Sequence, residues 1–236
     1  MSLFSIFYYL VLSFIYILAI PYLIFKSRNS KYRQAIPAKF FLKDNIPFEE
    51  NGIWFHSCSM GETKAIKPLI ENYLENANIS VITNTGFEEA KKISPNVRYL
   101  PFEIFLPFWV NKQKVLVVME AELWYLLFLF AKKKGAKTLL INARISDKSY
   151  KSYKRFSFFY KRIFQNIDKV FAQSEVDKYR LEELGASNVE VIGNIKLAQL
   201  PKVNIELEKP KQVVITAAST HENEEKLILD AYKKEQ

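Results

Sequence analysis

The sequence predicts an α/β fold: one complete Rossmann-like, doubly wound parallel sheet behind an N-terminal transmembrane helix, plus the start of a second Rossmann-like unit. Three observations predict it. From residue 52 onward, short apolar runs alternate with longer amphipathic ones, the pattern of βαβ units around a parallel sheet. Ahead of them, Leu3–Phe25 runs twenty-three residues without a charge. Behind them, the alternation breaks at Leu197–Pro210, which holds two prolines and no clean period, and then resumes once.

Taken in order, Leu3–Phe25 at about 1.5 Å per residue reaches across a hydrocarbon core of roughly 30 Å. A secretory signal would need a basic stretch before the apolar run and small residues at a cleavage site, and this segment has neither. All flanking charge lies C-terminal to it, so the positive-inside rule predicts a single-pass anchor at 1–25, with residue 26 onward in the cytoplasm. A basic juxtamembrane segment follows at 26–50. The domain at 51–200 is expected to hold strands at Gly52–Ser57, Ile79–Thr83, Lys114–Met119, Thr138–Asn142, Lys169–Gln173 and Val189–Gly193. Helices are expected at 62–76, 86–92, 122–134, 148–166 and 175–184. After a linker at 201–210, one strand at Gln212–Ala217 and one helix at 222–234 are too little to bury a core. Residues 211–236 therefore read as the opening of a second domain that this chain does not finish.

Composition narrows the chemistry. With 49% hydrophobic and 15% aromatic residues, the chain buries a core and is not disordered. A lone cysteine, Cys58, excludes a disulfide framework and multi-cysteine metal sites, and two histidines, His56 and His221, argue against a histidine-built metal centre. No metal or cofactor is expected, which leaves carboxylates, lysines and backbone groups; His56 and Cys58 read as packing residues. The net charge of +9 sits in two blocks, 26–43 and 144–162, each net +6, and the rest is net acidic. The second block interleaves Tyr150, Tyr153, Phe156, Phe158, Phe159 and Tyr160 with its cations. That suits a membrane-facing surface for a phosphorylated lipid. Nucleic acid is the competing partner, with less support beside an anchor.

Ligands of doubly wound sheets bind beyond the carboxyl ends of strands, so the polar residues there matter most. His56–Thr63 joins a strand to a helix through Ser59 and Gly61, and Glu62 there is either a general base or a first-turn cap. Glu120 and Glu122, at i and i+2, point in different directions, one toward the cleft and the other as a cap. Asn142 and Arg144 at the next strand end form either an anion clamp or a surface loop. Gly193-Asn194-Ile195-Lys196 ends in a lysine that alone would read as solvated. Ser219 and Thr220, followed by His221 and the acids Glu222, Glu224 and Glu225, make a good helix start.

Together the segments His56–Glu62 (HSCSMGE), Met119–Trp124 (MEAELW), Asn142–Ser146 (NARIS), Ala172–Glu175 (AQSE), Gly193–Lys196 (GNIK) and Ala218–Glu225 (ASTHENEE) resemble one family. In this order behind an apolar helix, they are similar to the 3-deoxy-D-manno-octulosonic acid (Kdo) transferases. The resemblance implies a two-domain GT-B architecture and an inverting, metal-free transfer of Kdo from CMP-Kdo to a lipid A precursor at the inner membrane, with the catalytic part facing the cytoplasm. It implies Glu62 as general base and Glu120 and Lys196 as stabilisers of the transition state. The substrate-binding candidates are Ser59, Gly61, Glu122, Asn142, Arg144, Gly193, Asn194, Ser219, Thr220 and His221. Two departures stand out: Trp124-Tyr125-Leu126 replaces the usual Trp-Pro-Asn, and Glu103 replaces the usual Asp after Leu100-Pro101. Family members also run beyond residue 236. A chain ending there is expected to bind CMP-Kdo poorly, and its alternative role is to bind membrane or lipid acceptor without catalysis.

Overall fold

The computed structural model describes residues 2–199, 208, 211 and 214–234. The chain divides into two units, Met1–Leu200 and Pro201–Gln236. The first begins with α1 (Leu3–Ser27), a 3-10 turn at Ser30–Tyr32 and α2 (Ala35–Phe41). It continues β1 (Ile53–Ser57), α3 (Met60–Glu71), β2 (Ala77–Val81), α4 (Asn84–Lys91), β3 (Val97–Tyr99), α5 (Leu106–Trp109), β4 (Val115–Met119) and α6 (Tyr125–Lys133). It closes with β5 (Lys137–Ala143), α7 (Asp147–Arg155), α8 (Ser157–Phe164), β6 (Lys169–Ala172), α9 (Glu175–Glu183), β7 (Val189–Val191) and a 3-10 turn at Ile195–Gln199.

Among the described residues the strands form one sheet in the order β3-β2-β1-β4-β5-β6-β7, every neighbouring pair parallel. The strands are apolar on both faces because helices cover both. Alternate side chains divide the core: Trp54, Leu116, Val118, Leu140 and Val170 pack on one side. Phe55, Ile79, Val81, Val117, Met119 and Ile141 pack on the other. The order reverses between β1 and β4, which opens a crevice beyond their carboxyl ends.

α1 lies against this domain along one stripe. Ser5 Oγ shares a 2.7 Å hydrogen bond with Tyr125, and the Tyr8 hydroxyl donates to the Glu103 carboxylate at 2.7 Å. Tyr9 and Tyr16 donate to the Ile104 and Phe40 carbonyls. Phe4, Tyr8 and Leu12 pack on the core beside them.

Five expectations need correction. The helix expected at 148–166 breaks at Phe156, where ψ turns to 27°, giving α7 and α8. Of its aromatics, Tyr150, Tyr153, Phe159 and Tyr160 pack inward, while Phe156 and Phe158 stay exposed. β3, α2 and α5 were not anticipated: β3 is three residues long between Pro95 and Pro101, α2 sits inside the basic block with Pro37 in its first turn, and α5 is a four-residue turn with Pro107 at its start. In the second unit, Val214–Ala217 forms no strand, because none of the described residues pairs with it. Gln212 and Val213 lie outside the described residues, as does most of the linker expected at 201–210. The last helix is α10 (Glu224–Lys234).

Candidate active site

The crevice at the strand-order reversal gathers three carboxylates, delivered by two strand-to-helix junctions. Past β1, Ser59 is the N-cap of α3, and its hydroxyl accepts from Glu62 N. The Glu62 carboxylate folds back to accept from Cys58 N at 2.8 Å and Ser59 Oγ at 3.2 Å, a variant of the capping box that reaches the residue before the cap. Glu62 therefore caps the helix and faces the crevice at once. Burial pushes its carboxyl above the ordinary range; the Cys58 N–H pulls it back in part, and the charges of Glu120 and Glu122 push it up further. A Cβ at Gly61, in the same first turn, would meet only Ser59 Oγ, at 4.0 Å.

Past β4 the chain turns through Glu120, whose φ of 52° is left-handed. Its carboxylate meets the Lys196 ammonium and accepts from the Asn142 amide at 3.3 Å. Asn142 is fully buried, has φ 53°, and sits where the β5–β6 register shifts. Its other side-chain atom, Oδ1, accepts from Ile195 N at 3.1 Å. One amide thus joins the carboxylate to the segment that carries the lysine. Asn194 Oδ1 accepts from Lys196 N at 3.0 Å, and Gly193 makes the turn with φ 83°.

Glu122 diverges from Glu120, as the sequence predicts, but it does not cap α6, which starts three residues later. That helix start is held instead by Glu103, 4% exposed, which accepts from Leu126 N at 2.6 Å. Glu122 accepts from the Trp124 indole at 2.7 Å and faces His56 Nε2 at 3.7 Å. Burial works against its charge, but the His56 ring and the Trp124 N–H outweigh it and hold the carboxyl below the usual range. At 3.7 Å the His56 contact is an ion pair when the ring is doubly protonated and too long for a hydrogen bond. Nε2 is accordingly buried without a hydrogen-bond partner, while Nδ1 lies 2.8 Å from Ser80 Oγ.

His56 is thus more than a packing residue. It is 0% exposed at the end of β1, and its ring faces a site carboxylate. Cys58 keeps the packing reading: burial and then the carboxylates of Glu122 and Glu62 push its thiol up to about 12, far from a reactive thiolate. Lys39, which sequence placed only in the basic block, is also close, since α2 carries it to the Ile82 carbonyl and near Cys58. Burial lowers its pKa.

A recess of about 150 Å³ opens beside Glu122, walled by Trp124, Tyr153 and Tyr160. Arg144 is exposed at the end of β5, and the structure shows no clamp between it and Asn142, whose amide is committed to Glu120 and Ile195. Ser219, Thr220 and His221 belong to the second unit, where Thr220 donates to Glu225 and His221 N donates to Glu224 at the start of α10. Among the described residues no group of three His, Cys, Asp or Glu side chains is arranged to hold a metal ion.

A doubly wound Rossmann-like domain, with carboxylates and a paired lysine at its switch point, is consistent with one half of a GT-B-type enzyme. Residues 27–199 match the model of the 3-deoxy-D-manno-octulosonic-acid transferase (Kdo transferase) family, and the chain belongs to that family. It is 31% identical over 223 residues to a 3-deoxy-D-manno-octulosonic acid transferase of Chlamydia pneumoniae, covering 87% of this chain and 51% of that protein. A transferase of the same name from Rickettsia felis is 35% identical over 77% of this chain and 43% of its own length. A bifunctional glycosyltransferase/methyltransferase of Fusobacterium nucleatum is 33% identical over 79% of this chain and 33% of its own length. The chain thus spans from a third to about half the length of these relatives.

Proposed function

We propose that the protein transfers Kdo from CMP-Kdo to a lipid A precursor with inversion, at the cytoplasmic face of the inner membrane, as a step of lipopolysaccharide synthesis. Glu62 takes the proton of the acceptor hydroxyl as its oxygen attacks the anomeric carbon; the bond to the phosphate breaks and CMP leaves with the electron pair. Lys196 offsets the negative charge gathering on CMP, and Glu120, with Asn142 behind it, holds the lysine in place. Glu122 remains a fixed anion beside the acceptor recess. Ser59, Gly61, Asn194 and Gly193 shape the crevice floor, and Arg144, Ser219, Thr220 and His221 are offered to the substrates' anionic groups.

The observation that carries this reading is the meeting, at the strand-order reversal of a Kdo transferase family domain, of Glu62 at the start of α3 with Glu120 paired to Lys196 and braced by Asn142. Burial raises the Glu62 carboxyl, while the His56 ring and the Trp124 N–H hold Glu122 low, which supports the first as proton acceptor and the second as a fixed charge. A carboxylate raised toward neutrality is the better general base. The test is incubation of the full-length protein with CMP-Kdo and a lipid A precursor, read by mass spectrometry. A lipid product heavier by Kdo, with CMP released, is expected; turnover of a different sugar nucleotide with CMP-Kdo left intact would overturn it.

A further inference from the structure

The stripe of α1 that meets the domain carries the hydroxyls of Ser5, Tyr8, Tyr9 and Tyr16, while its opposite face is apolar and bare but for Tyr22 near the C-terminal end. Leu3, Phe7, Leu10, Phe14, Leu18 and Phe25 are 61–85% exposed. We propose that α1 does not cross the bilayer but lies in the plane of its surface, sealed to the domain on one side and sunk into the acyl boundary of an anionic membrane on the other.

The docking contacts decide between the two geometries. They run from Phe4 to Tyr16 and recur at Leu23, which is 7% exposed, so they extend along most of a helix that is about 37 Å long. Ser5 is 1% exposed against Tyr125, and Tyr8 donates to a buried carboxylate whose other oxygen caps α6. A crossing helix would either break this network or draw Glu103 and its surroundings into hydrocarbon, where charged groups are strongly disfavoured. In-plane seating keeps every contact.

Charge points the same way. The positive-inside argument rested on cations flanking only the C-terminal end, and Lys26 does stand there, packed over Tyr22 and Tyr32. The folded chain, however, brings a second cation to the other end: the Arg162 guanidinium lies 4.3 Å from the centre of the Phe4 ring, beside exposed Phe158. A spanning helix would place these two cations in opposite leaflets. A helix lying flat puts both in one headgroup layer, where lipid phosphates meet them and the aromatic rings sit at the interface. The occupant of the apolar face is therefore a lipid surface bearing anionic headgroups.

Ser2 lies at the N-terminus of α1, so its side of the membrane reports the geometry without any reference to sugar transfer. The Ser2→Cys chain is expressed in a bacterial host and treated with a membrane-impermeant maleimide, on spheroplasts and on inverted inner-membrane vesicles. Labelling in detergent gives the total, and the unsubstituted chain, with Cys58 alone, gives the background. Full labelling from the cytoplasmic face and none from the opposite face is expected. Labelling from the opposite face, as a spanning helix requires, overturns the proposal. So does protection from both faces, as burial against a second copy would give.

Discussion

Glu62→Gln separates the helix cap that this side chain forms from the general base it is proposed to be. As a cap, the carboxylate accepts from Cys58 N and Ser59 Oγ at the N-terminal end of α3. If that were its whole role, losing the charge would remove about 0.3–1 kcal/mol of helix-end stabilisation. For a chain of this size the melting temperature would then fall by about 1–4 °C. Burial and the repulsion of Glu120 and Glu122 act on the same group and disfavour its ionised form. Because the folded pKa lies above the unfolded one, the native state holds the extra proton between the two values. Glu62's contribution to stability therefore falls as pH rises through that interval, and above it the charged group is a net liability. Gln keeps a carbonyl for the Cys58 N–H and carries no charge. The expected outcome at pH 7 is a melting temperature unchanged or higher, together with a loss of transfer of about 10²–10⁴-fold. Calorimetry across pH 4–8 reads the first, and the CMP-Kdo assay on the full-length protein reads the second. A destabilised variant that still transfers Kdo would reduce Glu62 to a cap and remove the base from the mechanism.

Two further substitutions test the scaffold behind the site. Asn142→Ala leaves Ile195 N without its acceptor, frees one side of Glu120 and replaces a residue that tolerates the left-handed conformation with one that tolerates it less; urea denaturation should show a loss of about 1–3 kcal/mol. Asn142→Gly should recover only the backbone part, and full recovery would mean that the amide bonds contribute nothing. Gly185→Ala, at φ 97°, would set a Cβ 2.6 Å from Lys161 Cγ and 3.1 Å from its Cα, so calorimetry should show a loss of about 1–3 kcal/mol. An unchanged melting temperature would mean that the α8–α9 junction yields freely.

The sheet was legible because strands buried on both faces write themselves as unbroken apolar runs; Val115–Met119 is one, with Leu116–Met119 all at 4% exposure or less. β3 was not, since three residues between prolines carry no period. The candidate site was legible where the chemistry lies at a strand end, as with Glu62, Glu120 and Asn142. It was hidden where a partner arrives from far along the chain. Glu103 caps a helix 23 residues downstream, and Lys39 reaches the crevice from a segment that reads as a basic flank. His56 was readable as a strand residue but not as a partner of Glu122, because a period-2 pattern gives the face and not what stands opposite. For α1, hydropathy counted the tyrosines as apolar and so concealed the stripe of hydroxyls that binds it to the domain.

Glu120 and Asn142 break the local rules at the same place. They follow paired residues of adjacent strands, Met119 and Ile141, and both are left-handed without being glycine. Each conformation costs about 1–2 kcal/mol, and the sheet has no need of either, since Glu120 N already donates to the Ile141 carbonyl. What the turns accomplish is to swing a carboxylate and an amide out of the pleat and toward each other, so that Asn142 binds both Glu120 and the backbone beside Lys196. At a bulge this position usually falls to glycine, which would hold the turn and supply neither bond. Asn is among the few residues that tolerate the conformation and can still hydrogen-bond, which makes the strain a property of the lysine's support rather than of the fold.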